Sequence, residues 1–256
     1  HCGHRIGREG RGRHRERGED RPVKFAVLAS GEGTVFESIA LYAKRGVIRG
    51  ADLVLLLTNK PASGAVGRAK ALGVETAVVT TKRPDGTKKG KEEFEEEIIE
   101  VLRGYGVEFC FLAGWNKVLD LVVDEYPYRI MNTHPSLLPA FAGLYGLEVH
   151  RAVLERGCKV TGCTIHFVDK GVDTGPIVLQ KAVEVSDDDT VESLAEKVKA
   201  LERRLAPMAI QLYRDGRISL VERFGRLTAR VDLSGGWLEE WKRRERELLG
   251  SQGEGE

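Results

Sequence analysis

The chain predicts an α/β fold: a doubly wound, mostly parallel sheet with an antiparallel edge and a long C-terminal helix. Short continuous apolar runs such as Val23–Ala29, Asp52–Thr58 and Val107–Ala113 alternate with segments whose apolar residues recur at helical spacing. Strands buried on both faces and joined by helical crossovers have this signature. Two longer runs, Lys159–Val168 and Ile177–Val185, follow each other closely and read as an antiparallel pair. A helical stripe of Leu194, Val198, Leu201 and Leu205 then extends from Val191 to about Tyr213.

In chain order, Val23–Ala29 is a strand, and a Gly-rich turn leads into a helix over Val35–Lys44. Asp52–Thr58 is the second strand. Ser63 is placed to cap a helix that ends at Leu72, with Gly73 as its C-cap. Ala77–Val79 makes a short third strand, and Thr80–Gly90 is a polar loop around Pro84-Asp85-Gly86. Lys91–Arg103 is an amphipathic helix with Phe94, Ile98, Val101 and Leu102 inward and a solvated acidic face. Val107–Ala113 and Ile130–His134 are the next buried strands, and Leu147–Arg156 is a helix. Asp187-Asp188-Asp189-Thr190 precedes the long helix and suits its N-terminal dipole, a capping role rather than a metal site. Pro207 falls inside that helix and is expected to kink it.

Three regions follow. Residues 1–22, with seven Arg, several Gly and hardly an apolar side chain, cannot offset their ordering entropy and read as a disordered tail. Residues 23–220 form the α/β domain, and 221–256 a C-terminal extension that is partly helical, where Trp237, Leu238 and Trp241 either pack back on the body or face a partner. The missing initiator Met suggests an upstream extension or a cloning remnant.

A net charge of +1 argues against a nucleic-acid footprint, so any anion must be bound locally. No apolar run is long enough to span a bilayer. Cys2, Cys110, Cys158 and Cys163 have no CxxC spacing suited to zinc; no metal is expected, and a cytoplasmic setting is.

The chemistry concentrates in Asn132-Thr133-His134-Pro135-Ser136-Leu137-Leu138-Pro139 and in the downstream segment His166 to Pro176. Asn132 and His134 are two apart on a strand and share a face; Pro135, lacking an N–H, ends the ladder there. Two donors aimed at one carbonyl oxygen suit acyl transfer, where that oxygen becomes negative. Asp173 either holds His134 as imidazolium or accepts the proton an attacking amine sheds. No Ser or Cys sits in a nucleophile elbow, which favours direct transfer over a covalent acyl-enzyme. Each segment alone also reads as a strand-end turn; their pairing points to a site. Ser30-Gly31-Glu32-Gly33-Thr34, between a strand and a helix, is either a plain tight turn or a phosphate cradle.

The combination of N-x-H-P-S-L-L-P, Gly157 to Phe167, and D-x-G-P-I within Asp173 to Gln180 resembles the formyltransferase family that uses 10-formyltetrahydrofolate. The resemblance runs from about Val23 to about Ser219 and is strongest to the branch that formylates glycinamide ribonucleotide (GAR) in purine synthesis. It implies a Rossmann-like formyltransferase fold and catalytic roles for Asn132, His134 and Asp173. It further implies GAR contacts from Gly33, Thr34, Val35 and Glu202, the last holding the glycyl amine. Taken alone, Glu202 reads equally as an exposed carboxylate pairing with Arg203 or Lys199. The folate is implied to lie against Lys117, Val118 and Leu119, Asn132, and the stretch Asp169, Lys170, Gly171, Val172 and Asp173, with His166 behind them. Val35 departs from the family, which usually has Asn there; Trp115 and Lys117 stand where Phe and Arg are common.

What the resemblance implies is transfer of the formyl group of 10-formyltetrahydrofolate to the GAR amine, by a monomer or homodimer with no nucleic-acid or membrane partner. The alternatives are a formyltetrahydrofolate deformylase, another formyl-folate-dependent transferase, or a folate- or nucleotide-binding module without turnover. Deformylases and methionyl-tRNA formyltransferases are expected to carry larger appended domains than this chain shows.

Overall fold

The computed structural model describes residues 21–250. Its central sheet contains β1 (Val23–Leu28), β2 (Ala51–Thr58), β3 (Thr76–Val78), β4 (Phe109–Leu112), β5 (Ile130–His134), β6 (Val160–Phe167) and β7 (Ile177–Glu184). The helices are α1 (Thr34–Lys44), α2 (Gly64–Leu72), α3 (Lys91–Gly104), α4 (Asp120–Glu125), α5 (Leu147–Glu155), α6 (Val191–Arg214) and α7 (Trp237–Gly250). Between α6 and α7 lies a separate two-stranded hairpin, β8 (Ile218–Arg223) and β9 (Arg226–Val231). The expected disorder of the 1–22 tail and the frayed C-terminus fall outside the described residues, apart from Arg21 and Pro22.

The sheet order is β3-β2-β1-β4-β5-β6-β7. The first five strands of that order are parallel, and β6 is antiparallel to both β5 and β7. The antiparallel edge therefore begins one strand earlier than the β6–β7 pair read from sequence. Side chains alternate across the sheet as the two-residue period demands. Phe25, Val27, Phe109, Phe111 and Met131 enter a core shared with α1, α6 and α7. Ala26, Leu28, Cys110, Leu112 and Ile130 enter a second core beneath α3 and α4. Two cores explain why the strands read as unbroken apolar runs.

Several local expectations need correction. Ser63 sits at the N-cap of α2 but makes no side-chain cap; its hydroxyl lies 3.3 Å from that of Thr58. The acidic face of α3 is not wholly solvated. Glu95 is buried, and its Oε2 accepts from the N–H groups of Leu121 and Val122 at 2.6 and 3.1 Å. It thereby caps α4, a helix too short for periodicity to announce. The expected boundary at 220 falls inside β8. Of the two readings of Trp237 and Trp241, packing back on the body is the one observed: both are buried in the core shared with α1 and α6.

The long helix begins as expected: Thr190 forms a capping box with Ser193, and Asp189 accepts from Ser193 Oγ and pairs with Lys197. It runs on through Pro207 to Arg214. Pro207 has no N–H for the carbonyl of Arg203 four residues earlier. The Ser38 hydroxyl on α1 fills that vacancy, donating to Arg203 O at 2.6 Å. The bond ties α1 to α6 at the point where α6 is weakest. Ser38→Ala should cost about 1–2 kcal/mol, measured as a drop in the urea midpoint, because it strands a carbonyl that the helix itself cannot satisfy.

Candidate active site

Strand order reverses at β1 and β4, so the loops leaving their C-terminal ends diverge and open a crevice, the usual place for a ligand in such sheets. A cavity of about 650 Å³ occupies it. A small polar cluster ties the two diverging loops together. Ser30 Oγ and Asn59 Nδ2 both donate to Asn116 Oδ1, at 3.1 and 2.9 Å, and Ser30 N–H reaches Gly114 O at 3.2 Å. Neither Asn59 nor Asn116 stood out in the sequence, since single amides in loops carry no pattern.

Asn132 and His134 close β5 and both border the cavity. Pairing with β6 sets His166 opposite Asn132. His166 Nδ1–H donates to Phe167 O at 2.8 Å, which leaves Nε2 to accept from Asn132 Nδ2 at 3.2 Å. That arrangement orients the Asn132 amide and keeps its second N–H for the cavity. Asp173 approaches from the β6–β7 loop: its Oδ2 is 3.4 Å from His134 Nδ1, and its Oδ1 is 3.7 Å from His166 Nε2. Asp173 adopts φ 56°, a left-handed backbone that Asp tolerates better than most residues, and its Oδ2 accepts Gly143 N–H at 2.8 Å. Gly175, just beyond, is obligatory because a Cβ there would sit 1.8 Å from Phe167 O.

Both His134 nitrogens face oxygens, since Nε2 lies 3.2 Å from Phe141 O. That geometry suits an imidazolium. Burial nonetheless holds the ring below the usual imidazole range, with Asp173 and Phe141 only partly opposing it. Of the two roles read for Asp173, holding a resting imidazolium is the one that desolvation of the ring opposes. His166 is lowered as well, first by burial.

On the other face of β5, Thr133 donates to Glu202 Oε1 at 2.7 Å. Glu202 is 7% exposed, so it is no surface carboxylate; Lys199 and Arg203 pair instead with Glu196, at 3.1 and 4.0 Å. Burial pushes the Glu202 carboxyl up to about 7, against the lowering effect of Thr133 and the nearby Lys199 and Arg203. His150 borders the same cavity, buried and held down to about 4 by desolvation and then by Lys199 and His134. The Ser38–Arg203 bond and the Arg49 N–H to Gln211 bond (2.7 Å) show that α1 and α6 run in the same direction. One turn before Ser38 and Arg203 come Thr34 and Lys199, and both border the cavity. Lys199 was missed as a site residue because it is one of several charged residues on the helix, with Glu196, Lys197, Glu202, Arg203 and Arg204 close by.

Gly33 has φ 75°, and a Cβ there would lie 2.6 Å from Ala65, so only glycine fits the turn. The first-turn N–H groups of α1 have no partner within their helix and are open to an anion. The Val35 side chain is buried in the core, leaving its backbone as the group it can offer, and Glu32 is exposed at the rim.

Lys117, Val118 and Leu119 border the opposite end, with Leu119 buried and Val118 exposed. Trp115 stacks on Phe94 at 6.4 Å and is a core residue as much as a wall. Asp169, Gly171, Val172 and Asp173 border the cavity too, and Asp169 braces its own loop by accepting from Gly171 N–H and Thr174 Oγ1 at 3.1 and 2.6 Å. Lys170 does not join them. It is exposed and pairs with Asp124 at 2.9 Å.

Comparison with known proteins matches residues 23–210 to the formyl transferase family. The chain is 42% identical to the chloroplastic phosphoribosylglycinamide formyltransferase of Arabidopsis thaliana over 73% of its own length, and spans 64% of that protein, less than two thirds. It is 39% identical to phosphoribosylglycinamide formyltransferase of Bacillus subtilis, covering 73% of this chain and 93% of the relative. Among solved structures, glycinamide ribonucleotide transformylase 1 of Symbiobacterium toebii superposes with a TM-score of 0.73 at 37% identity, covering 82% of this chain and 94% of that one.

The Glu202 environment has a thermodynamic consequence. With its carboxyl raised to about 7 in the folded chain, the native state holds a proton that the unfolded state has already released above the ordinary carboxylate range. Stability contributed by that proton is complete at acid pH and is lost as pH rises toward and through 7. Urea midpoints at pH 5 and pH 8 should show the decline, and Glu202→Gln should flatten it; an unchanged slope in the variant would assign the decline elsewhere.

Proposed function

The chain belongs to the formyl transferase family, and we propose that it transfers the formyl group of 10-formyltetrahydrofolate to the primary amine of GAR, by direct attack, in purine biosynthesis. The observation that carries this reading is that two sets of groups, on opposite faces of β5, border one cavity. Asn132, His134 and Asp173 form one, and Glu202 with Lys199 and the α1 N-terminus forms the other. The first suits a carbonyl whose oxygen gains charge, and the second suits an amine carried on a phosphate ester.

On the acceptor side, first-turn N–H groups from Thr34 and Val35 with Lys199 bind the phosphate. Val35 contributes backbone alone, so Lys199 takes a larger share of the phosphate charge than the turn by itself would require. Glu202, ionised, holds the glycyl amine and is oriented by Thr133. On the donor side, the exposed apolar side chains of Val118 and Val172 with buried Leu119 make a slot for a flat ring, and loop backbone supplies its polar edge. 10-Formyltetrahydrofolate supplies the formyl carbon and the nitrogen that leaves.

Asn132 directs its free N–H at the formyl oxygen, held in that pose by His166. His134 faces the same oxygen, and as negative charge grows there its proton affinity rises, offsetting the desolvation that keeps it neutral at rest. Asp173 stabilises the resulting imidazolium and takes part in moving the amine proton to the leaving nitrogen. The preorganised part is the amide; the adjustable part is the imidazole. Catalysis by a chain with free thiols at Cys110, Cys158 and Cys163 suits a cytoplasmic setting, as monomer or homodimer.

A spectroscopic assay of tetrahydrofolate release with GAR, with water alone and with charged initiator tRNA decides between the family's reactions. Release that depends on GAR is expected; release in water alone would overturn the transferase reading in favour of deformylation. Asp173→Asn, which preserves the left-handed backbone and removes the charge, should lower kcat by about 10² or more. Glu202→Gln should raise KM for GAR about tenfold or more with a smaller change for the folate. In the parent enzyme KM for GAR should fall as pH rises through about 7, where Glu202 ionises, and this dependence should vanish in Glu202→Gln.

A further inference from the structure

A second cavity, of about 300 Å³, lies where α7 meets the far ends of α1 and α6, away from the sheet crevice. Arg49, Arg214 and Arg244 line it. Each guanidinium is fixed by one backbone carbonyl of the α1–β2 connection: Arg49 Nε donates to Gly46 O at 3.1 Å, Arg214 Nε to Gly50 O at 3.0 Å, and Arg244 Nη1 to Val47 O at 2.6 Å. Gly50 is part of the construction, since a Cβ there would come within 2.5 Å of Arg214 Cζ. The guanidinium lies where any other side chain would be.

Two carboxylates also border the cavity, Asp215 and Glu240, and both are committed elsewhere. Asp215 accepts Trp237 Nε1–H at 2.7 Å and Gln211 Nε2–H at 2.8 Å. Glu240 is held by Arg243, with contacts of 2.8 to 3.0 Å. What they leave for the cavity arginines is loose: 3.4 Å from Arg214 to Asp215, 3.5 Å from Arg244 to Glu240 and 3.7 Å from Arg49 to Glu240. Arg244 is 6% exposed, and its Nε is buried without a hydrogen-bond partner. Its nearest acceptor is Glu240 Oε1 at 3.5 Å, and a buried guanidinium donor so poorly met is costly to keep. Burial first, and then the neighbouring Arg49, pull Arg244 below its usual range, against the opposing effect of Glu240 and Asp215.

We propose that this cavity binds a phosphate group, held by Arg49, Arg214 and Arg244 together, at a site separate from the formyl-transfer centre. A tetrahedral dianion can take the unused N–H donors of three guanidinia at once, and forked donors suit its oxygens. The site joins the family-matched segment, which ends at residue 210, to the C-terminal segment that follows it. Its binding state therefore bears on how α7 sits against α1 and α6.

Inorganic phosphate titrated into the full chain tests this. The protein has three Trp, so Trp115→Phe leaves as reporters Trp237, which lines the cavity, and Trp241, which stacks on Trp237 at 5.9 Å. The expected result is a saturable change in fluorescence at millimolar phosphate or below, absent with sodium chloride at matched ionic strength. Arg49→Gln, on an exposed side chain that cannot unfold the protein, should raise the midpoint about tenfold. Arg244→Gln should abolish the response, and Lys199→Gln, in the sheet crevice, should leave the midpoint where it is. No saturation, the same change with chloride, or an unmoved midpoint in Arg49→Gln would overturn the proposal.

Discussion

The antiparallel register of β5 against β6 is the constraint on which the site rests. It sets Asn132 opposite His166 and His134 opposite Thr164, and it turns the chain so that the loop after β6 returns over the C-terminal end of β5. A shift of one residue would reverse every facing. Asn132 and His134 would then point into the α6 core, and Thr133 could no longer reach Glu202. The register is held from several sides: Thr164 donates to Ser136 O at 2.7 Å and accepts from Leu138 N–H, while Gln180 on β7 reaches both Leu138 O and Thr164. The segment after β5 is thus fastened to the two strands that follow it in the sheet.

With the register fixed, the electrostatics of the cavity reduce to a contest between burial and pairing, decided differently at each group. His134 has a carboxylate and a carbonyl within reach and is still pulled down by desolvation. Glu202 has one hydroxyl and two nearby cations and is still pushed up to about 7. Burial favours the neutral form of each group, and in the proposed reaction each becomes charged when a partner of opposite sign enters. Such a site is economical to fold, because the charges it needs are not buried unpaired beforehand. The same reasoning explains why His166 carries no charge: its role is to accept from Asn132, which only a neutral ring can do.

Much of this was legible in the residues, and the limits have physical causes. The strands of the parallel sheet announce themselves because they are apolar on both faces, and Asn132, His134 and Asp173 because a strand-end Asn-x-His and a turn-entering Asp are separated by one long strand. The hairpin β8–β9 did not, since only one of its faces meets the body and its apolar positions are few. Glu95 looked like one of several glutamates on α3, yet it alone faces inward and caps α4. Lys170 was grouped with its neighbours, which do border the cavity, but the direction of a single loop side chain cannot be read from spacing. Trp237 and Trp241 were visible as residues needing cover; which surface covers them depends on where α7 docks.

That docking carries a consequence for the cavity. Tyr42 on α1 donates to Glu245 Oε1 at 3.0 Å, and Arg204 on α6 reaches Glu245 at 2.8 and 3.1 Å. A single buried carboxylate on α7 therefore grips both helices that build the acceptor end of the crevice. Tyr42 also packs against Trp241 at 6.0 Å, and burial first, then the carboxylate, hold its hydroxyl protonated well above its usual range. The Ser38–Arg203 bond makes a second tie one turn closer to the cavity. Two ties along a parallel helix pair fix their separation and their sliding. The distance between the Thr34 end of α1 and Lys199 on α6 is then set by contacts that touch no substrate. On the proposed reading a phosphate must fit that distance, and α7, which begins beyond the family-matched residues, then acts as a strut for a site it does not enter.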